Sequence, residues 1–201
     1  MNFLAHLYLA GDDDGLRLGA LLGDFVRGKH ALAGFTAEVH RGILLHRHID
    51  RYIDVMPETT ALRESLSPPF RRYGGIIIDL GYDHQLAKNW MQYSSVSLQS
   101  FDREIRDLLA RYPDIVPQSL WRFMDYADRR GLFASYREAP EILHSLRGIG
   151  TRLSRPNPLH RVDEIWAVLE PRLACFFKQA FPQIQLEVAE WLKSKSTITG
   201  S

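Results

Sequence analysis

A chain of 201 residues with 45% hydrophobic content can bury a substantial core within a single domain. A net charge of +1 offers no bulk field for holding nucleic acid or a membrane surface. The single cysteine, Cys175, excludes an internal disulfide, and its apolar run WAVLEPRLACFF places it in the core of a protein kept in a reducing compartment. The 25 basic residues are 20 Arg and 5 Lys, a bias toward the side chain that grips phosphate and carboxylate with two parallel hydrogen bonds.

From the amino terminus, Asn2 is positioned to cap a short helix running to Ala10, and no basic leader or small-residue cleavage site precedes the acidic run Asp12 to Asp14. A second helix spans Leu16 to Arg27 and stops at Gly28. Thr36 caps a long third helix ending near Val55, before Pro57, and a brief helix follows from Thr60 to Leu66. Ser67-Pro68-Pro69 is a break. The next helix covers Gly75 to about Tyr93, although Ile76-Ile77-Ile78 also suits a buried strand.

Amphipathic segments then run over Leu98 to Tyr112, Gln118 to Arg130, Pro140 to Arg152, Val162 to Phe181 and Gln183 to Lys195, with a frayed tail over 196–201. No alternating run demands a sheet, and no segment is long and apolar enough to span a bilayer. The expectation is an all-α, single-domain bundle over residues 1–195, with about eight to ten helices, in the cytoplasm.

Charge falls on the wrong side of several of these helices. At roughly 100° per residue, His46 and Asp50 share an arc with Val39, Ile43 and Ile53, while Arg41, His48 and Arg51 point elsewhere. Asp79 and Asp83 fall among Ile76, Leu80, Leu86, Ala87 and Trp90, with Gln85 and Lys88 opposite. His6 lies on a helix apolar all round, and Asp24 in a Leu, Ala, Gly, Phe and Val segment three positions before Arg27. An unpaired buried carboxylate costs several kcal/mol, so His6, Asp24, His46, Asp50, Asp79, Asp83 and His84 together imply a compensating cation. The bland alternative is a hydrogen-bonded polar network in the core.

Carboxylate and imidazole without thiolate suit Mn²⁺, Mg²⁺, Fe or Zn²⁺, and several oxygens favour the harder ions. Such a centre fits metal-assisted hydrolysis, with Arg27, Arg47, Arg71 and Arg72 as candidates to clamp a phosphate. Glu141 and His144 match half of a di-iron helix pattern, but the second copy is missing. Gly148-Ile-Gly150 lacks the strand and third glycine of a dinucleotide loop, and no nucleophile elbow is present. Trp121, Phe123, Tyr126, Phe133, Trp166, Phe176, Phe177 and Trp191 recur at helical spacing as core, with a few free to line a pocket for an extended ligand.

The segments MNFLAHLYLA, LLGDFVRG, GILLHRHID followed by Asp54, and IDLGYDHQLAKNW occur in this order and together resemble the acyl carrier protein phosphodiesterase family. The resemblance covers most of the first 90 residues. It implies an α-helical fold distantly related to the HD-type metal phosphohydrolases. It also implies removal of 4′-phosphopantetheine from the serine of holo acyl carrier protein with Mn²⁺, or alternatively Mg²⁺ or Fe. The family's motif positions fall at His6, Asp24, Arg27, His46, Arg47, Asp50, Asp79, Asp83 and His84, without dividing ligands from supporting residues; our expectation is that Asp24, His46, Asp83 and His84 hold the metal and His6, Arg27, Arg47, Asp50 and Asp79 serve the chemistry. Tyr8 and Gly23 depart from the family pattern outside these positions.

Because carrier proteins are acidic, Arg71, Arg72, Arg129 and Arg130 are candidates to steer docking. Two other classes remain open: a metal phosphohydrolase of small nucleotides or phosphoesters, and a non-enzymatic helical binding module. The number of subunits is not readable from the sequence.

Overall fold

The computed structural model describes residues 2–26, 28 and 34–196. It is all-α: among the described residues no strand occurs, and Ile76-Ile77-Ile78 is helical. Helices α1 (Phe3–Leu9), α2 (Asp14–Leu22), α3 (Ala37–Val55), α4 (Pro57–Glu64) and α5 (Pro68–Arg71) lead to α6 (Gly74–Lys88). After α6 come α7 (Leu98–Arg111), α8 (Gln118–Asp128), α9 (Ala139–Gly150) and α10 (Asp163–Ser196).

The buried order of the bundle follows from where small residues let helices meet. At the α2–α3 crossing, an ideal Cβ on Gly19 would lie 2.6 Å from Gly42 Cα, and the two backbones pack directly on each other. That contact lays the end of α2 across the middle of α3, over His46. Helix α6 is covered on nearly all sides, with Ile77, Ile78, Leu80, Tyr82, Leu86 and Ala87 buried, and Gln85 is buried with them rather than on an outer face. It is the central helix around which α1, α9 and α10 pack.

Several boundaries differ from the sequence reading. Pro68 and Pro69 open the short α5 instead of merely interrupting the chain, because proline fits the first helical turn, where its missing N–H is not needed. Helix α2 ends at Leu22, and Asp24 sits in the turn beyond it, where the Phe25 and Val26 N–H groups both donate to the Leu22 carbonyl. The two expected carboxyl-terminal helices are one, α10, with Pro171 and Pro182 inside it.

An interior proline costs about 3 kcal/mol. In α10 the buried series Trp166, Leu169, Leu173, Phe177, Ala180, Phe181, Ile184 and Val188 runs through both prolines on one stripe. Each large member contributes roughly 1.5–3 kcal/mol on burial, so the continuous stripe outweighs the local penalty. Cys175 faces away from that stripe and is exposed, correcting the expectation of a core thiol: two residues along a helix turn a side chain about 200° from Leu173.

Candidate metal centre

Two helices and one turn converge on a single cluster. His6 comes from the buried α1, His46 and Asp50 from one face of α3 a single turn apart, and Asp24 from the turn after α2. His6 Nε2 lies 3.0 Å from Asp50 Oδ1, and His46 Nε2 lies 3.2 Å from Asp50 Oδ2 and 3.4 Å from Asp24 Oδ1. The two imidazoles stack with centroids 3.8 Å apart and planes inclined by 16°. Ligand-type atoms of His6, His46 and Asp50 all lie within 4.8 Å of one another. The cluster borders a cavity of about 290 Å³ lined by Asp24, Asp50, Asp54 and Asp79, with Asn2, Ile76, Leu80 and Ile149 completing the wall.

The His46 ring is fixed from two sides. Its Nδ1 is 2.8 Å from the Ala20 carbonyl, which accepts a hydrogen bond from that nitrogen and turns Nε2 toward the carboxylates. Against its flat side lies Gly23: an ideal Cβ there would come within 2.6 Å of three ring atoms. Gly23, set aside in the sequence reading as a neutral departure, is therefore part of the seating of His46.

The electrostatics of the cluster call for positive charge. Burial raises the Asp50 carboxyl, but the hydrogen bonds from His46 and His6 outweigh it and hold the group far below the usual carboxylate range. Burial likewise disfavours a charged His46, yet Asp24 and Asp50 together push its imidazole well up. Burial and the neighbouring charge on His46 push His6 down, to about 4. Asp24 is lowered because its contacts with His46 outweigh its burial. A cation at Nε2 of His46, a proton or a divalent ion, satisfies this arrangement. The donor set, two imidazole nitrogens with surrounding carboxylates and no thiolate, fits such an ion.

The other predicted residues are placed as follows. Asp79 is half-buried on the cavity wall, where burial pushes its carboxyl up. Asp83, one turn later on α6, lies apart from the cluster: its two oxygens accept the Leu4 and Ala5 N–H groups at 2.9 and 3.1 Å. It thus performs the α1 capping expected of Asn2, whose side chain makes no cap bond, and burial pushes its carboxyl up to about 7. His84 also lies apart, with Nδ1 2.7 Å from the Tyr136 carbonyl and Nε2 3.3 Å from Glu170.

Arg47 donates to the Val26 carbonyl at 2.7 Å and so pins the turn that carries Asp24. Arg27 lies outside the described residues. Arg71 spans the Glu64 and Leu66 carbonyls, Arg130 forks onto Glu141, and Arg129 donates to the Asp125 carbonyl, while Arg72 is exposed.

The model of the acyl carrier protein phosphodiesterase family matches residues 1–184. The chain belongs to that family. An acyl carrier protein phosphodiesterase of Enterobacter sp. strain 638 is 34% identical over 195 residues, covering 93% of this chain and 97% of the relative. One from Salmonella agona strain SL483 is 35% identical over 191 residues, covering 91% and 97%. One from Serratia proteamaculans strain 568 is 34% identical over 156 residues, covering 77% and 80%. Among solved structures, none matches.

The phosphodiesterase cluster includes one carboxylate beyond the expected set. Asp54 lines the cavity one turn after Asp50, so His46, Asp50 and Asp54 form a ladder along α3 at intervals of four. That interval is readable in the sequence.

Proposed function

We propose that this phosphodiesterase hydrolyses the diester joining 4′-phosphopantetheine to the serine of holo acyl carrier protein. His6, His46 and Asp50, joined by Asp24, would hold a divalent cation, Mn²⁺ before Mg²⁺ or Fe. The observation that carries the reading is the meeting of two imidazole Nε2 atoms on the two oxygens of one carboxylate, at the wall of an acid-lined cavity. An ion bound there supplies Lewis-acid stabilisation of charge on the phosphoryl group and makes a water more acidic.

The protein's own contributions are positional. The Ala20 carbonyl fixes the His46 tautomer, Gly23 gives the ring its space, and Asp50 aligns both imidazoles. We assign proton transfer to Asp79, whose raised carboxyl suits both accepting a proton from the attacking water and returning it to the departing serine oxygen. The P–O bond to serine breaks as the new P–O bond to water forms, giving apo carrier protein and free 4′-phosphopantetheine. Asp83 and His84 are assigned to architecture: the first to capping α1, the second to bridging Tyr136 and Glu170. Residues 1–195 are taken as one domain working in the cytoplasm, and no described helix is long and apolar enough to cross a membrane.

Incubation with holo carrier protein and Mn²⁺, read by intact mass, tests the function. Loss of the prosthetic group with the wild type, and its retention with folded His46→Ala, supports the reading. An unchanged mass with the wild type rejects it. Small phosphodiesters turned over in place of the carrier protein would shift the substrate class.

A further inference from the structure

A second, larger cavity opens beside the acidic one. It holds about 660 Å³, and Asn2, Leu80 and Ile149 line both spaces, so the two adjoin at those residues. Its volume lies within the roughly 300–1,000 Å³ range of small-molecule sites. One wall is aromatic: Phe3 packs on Phe123 with centroids 4.6 Å apart and on Phe25 at 6.2 Å. The facing wall is α9, where Glu141, Ser145, Gly148 and Ile149 fall on one side of the helix. At its middle, a Cβ added to Gly148 would meet no atom within 4 Å. Gly148 is an ordinary helical residue, with none of the positive φ found at Gly11, Gly28 and Gly131. Its lack of a side chain relieves no clash and no backbone strain; it leaves the groove open, at a cost of about 1 kcal/mol in helix propensity relative to alanine.

We infer that this groove receives the pantetheine arm of the substrate while the attached phosphate lies at the His6–His46–Asp50 centre. The inference rests on the proposed function and adds the site that recognises the leaving prosthetic group. The arm is uncharged and linear: a gem-dimethyl group next to the phosphate, a hydroxyl, two amides and a terminal thiol. Phe3, Phe25 and Phe123 offer apolar surface for the dimethyl end, and Ser145 and Thr151 offer hydroxyls for the amides. A groove reaching outward from the phosphate position matches an arm that stays bonded to phosphorus when the serine bond breaks.

The test fills the groove from its open point with Gly148→Phe. The substitution needs no backbone change and leaves the metal centre untouched, so folding and the Mn²⁺-induced rise in melting temperature are expected to match the wild type. Saturation-transfer NMR with free pantetheine, which has no phosphate and needs no metal, should show transfer to the dimethyl protons with the wild type and its loss with Gly148→Phe. The KM for holo carrier protein should rise by about tenfold or more, equivalent to about 1.4 kcal/mol of binding. Pantetheine contacting both proteins equally, or neither, overturns the groove assignment even if the wild type strips carrier protein. Failure of the wild type to strip carrier protein rejects the proposed function instead, and the pantetheine comparison still decides the groove.

Discussion

Gly23→Ala is the sharpest single test of the centre because the expected damage has one source. Gly23 has φ −51° and ψ −41°, a helical conformation in which alanine is unstrained and intrinsically preferred. Judged from the backbone alone, the change should be neutral or mildly stabilising. The added methyl, however, would stand within 2.6 Å of three atoms of the His46 ring, whereas ordinary contact begins at 3.4 Å. The nearest, Cγ, would be 2.2 Å away, so the ring must retreat by about 1.2 Å, yet its Nδ1 is tied to the Ala20 carbonyl and its face is stacked on His6.

Overpacking of this kind costs about 1–3 kcal/mol, and in a domain of this size each kcal/mol lowers Tm by about 2–4 °C. A shift of about 1 Å at a reacting centre costs on the order of 100-fold in rate. Thermal melting with and without Mn²⁺, beside intact-mass assays of arm removal, reads both effects. The expected result is a folded protein with a modestly lower Tm, a diminished Mn²⁺ response and about 1% of wild-type kcat/KM. Full activity with an unchanged Mn²⁺ response would show that the His46 position is not what the site depends on.

Asp50→Asn keeps the shape of the bridge between His6 and His46 but removes its charge, so the Mn²⁺ concentration needed for half-maximal thermal stabilisation should rise by about 10- to 100-fold or more; an unchanged titration would remove Asp50 from the centre. Asp102 is buried on α7, accepts the Ala134 N–H at 3.0 Å, and has its carboxyl raised by burial to about 6. Because the folded state holds that proton more tightly than the unfolded chain, the contribution of Asp102 to stability falls as pH rises from about 4 to 6. The stability of Asp102→Asn minus that of the wild type should therefore grow across this window to at most roughly 3 kcal/mol, and a flat difference would contradict the raised carboxyl. Pro182→Ala, at an exposed position inside α10, should raise Tm by restoring a helical hydrogen bond, up to about 3 kcal/mol, whereas a chain broken at that point would gain nothing.

Which parts of this were legible beforehand depends on the range of the forces involved. The helices α3, α7 and α9 stand close to their expected limits because their caps and apolar periodicity are local signals; Thr36 caps α3 through the Val39 N–H as its position implied. The fusion across Pro182 was not legible, since a proline is a local penalty and the stripe that overcomes it is a sum over α3, α4 and α6 packing. His6, Asp24, His46, Asp50 and Asp79 were picked out by one rule, an ionisable group on an apolar face, and the structure gathers all five around one cavity or its edge.

The same rule also selected Asp83 and His84, and periodicity has no means of separating them. A buried carboxylate can be satisfied by a cation or by backbone donors, and which one applies is decided by where a distant helix begins. Asp79 and Asp83 are one turn apart on α6, but α1 starts beside Asp83, and its free N–H groups consume both oxygens. Those capping bonds tie the first turn of α1 to α6, immediately before His6. The two carboxylates therefore divide the work along the helix. Asp83 caps α1 from the buried side, and Asp79 lines the acidic cavity where the proposed hydrolysis would take place. Removing the cap by Asp83→Leu should consequently misplace His6 and weaken Mn²⁺ binding without touching any atom of the centre, which distinguishes a positioning role from direct ligation: a true ligand would leave the fold intact when lost, whereas the loss of this cap should lower Tm by several degrees as well.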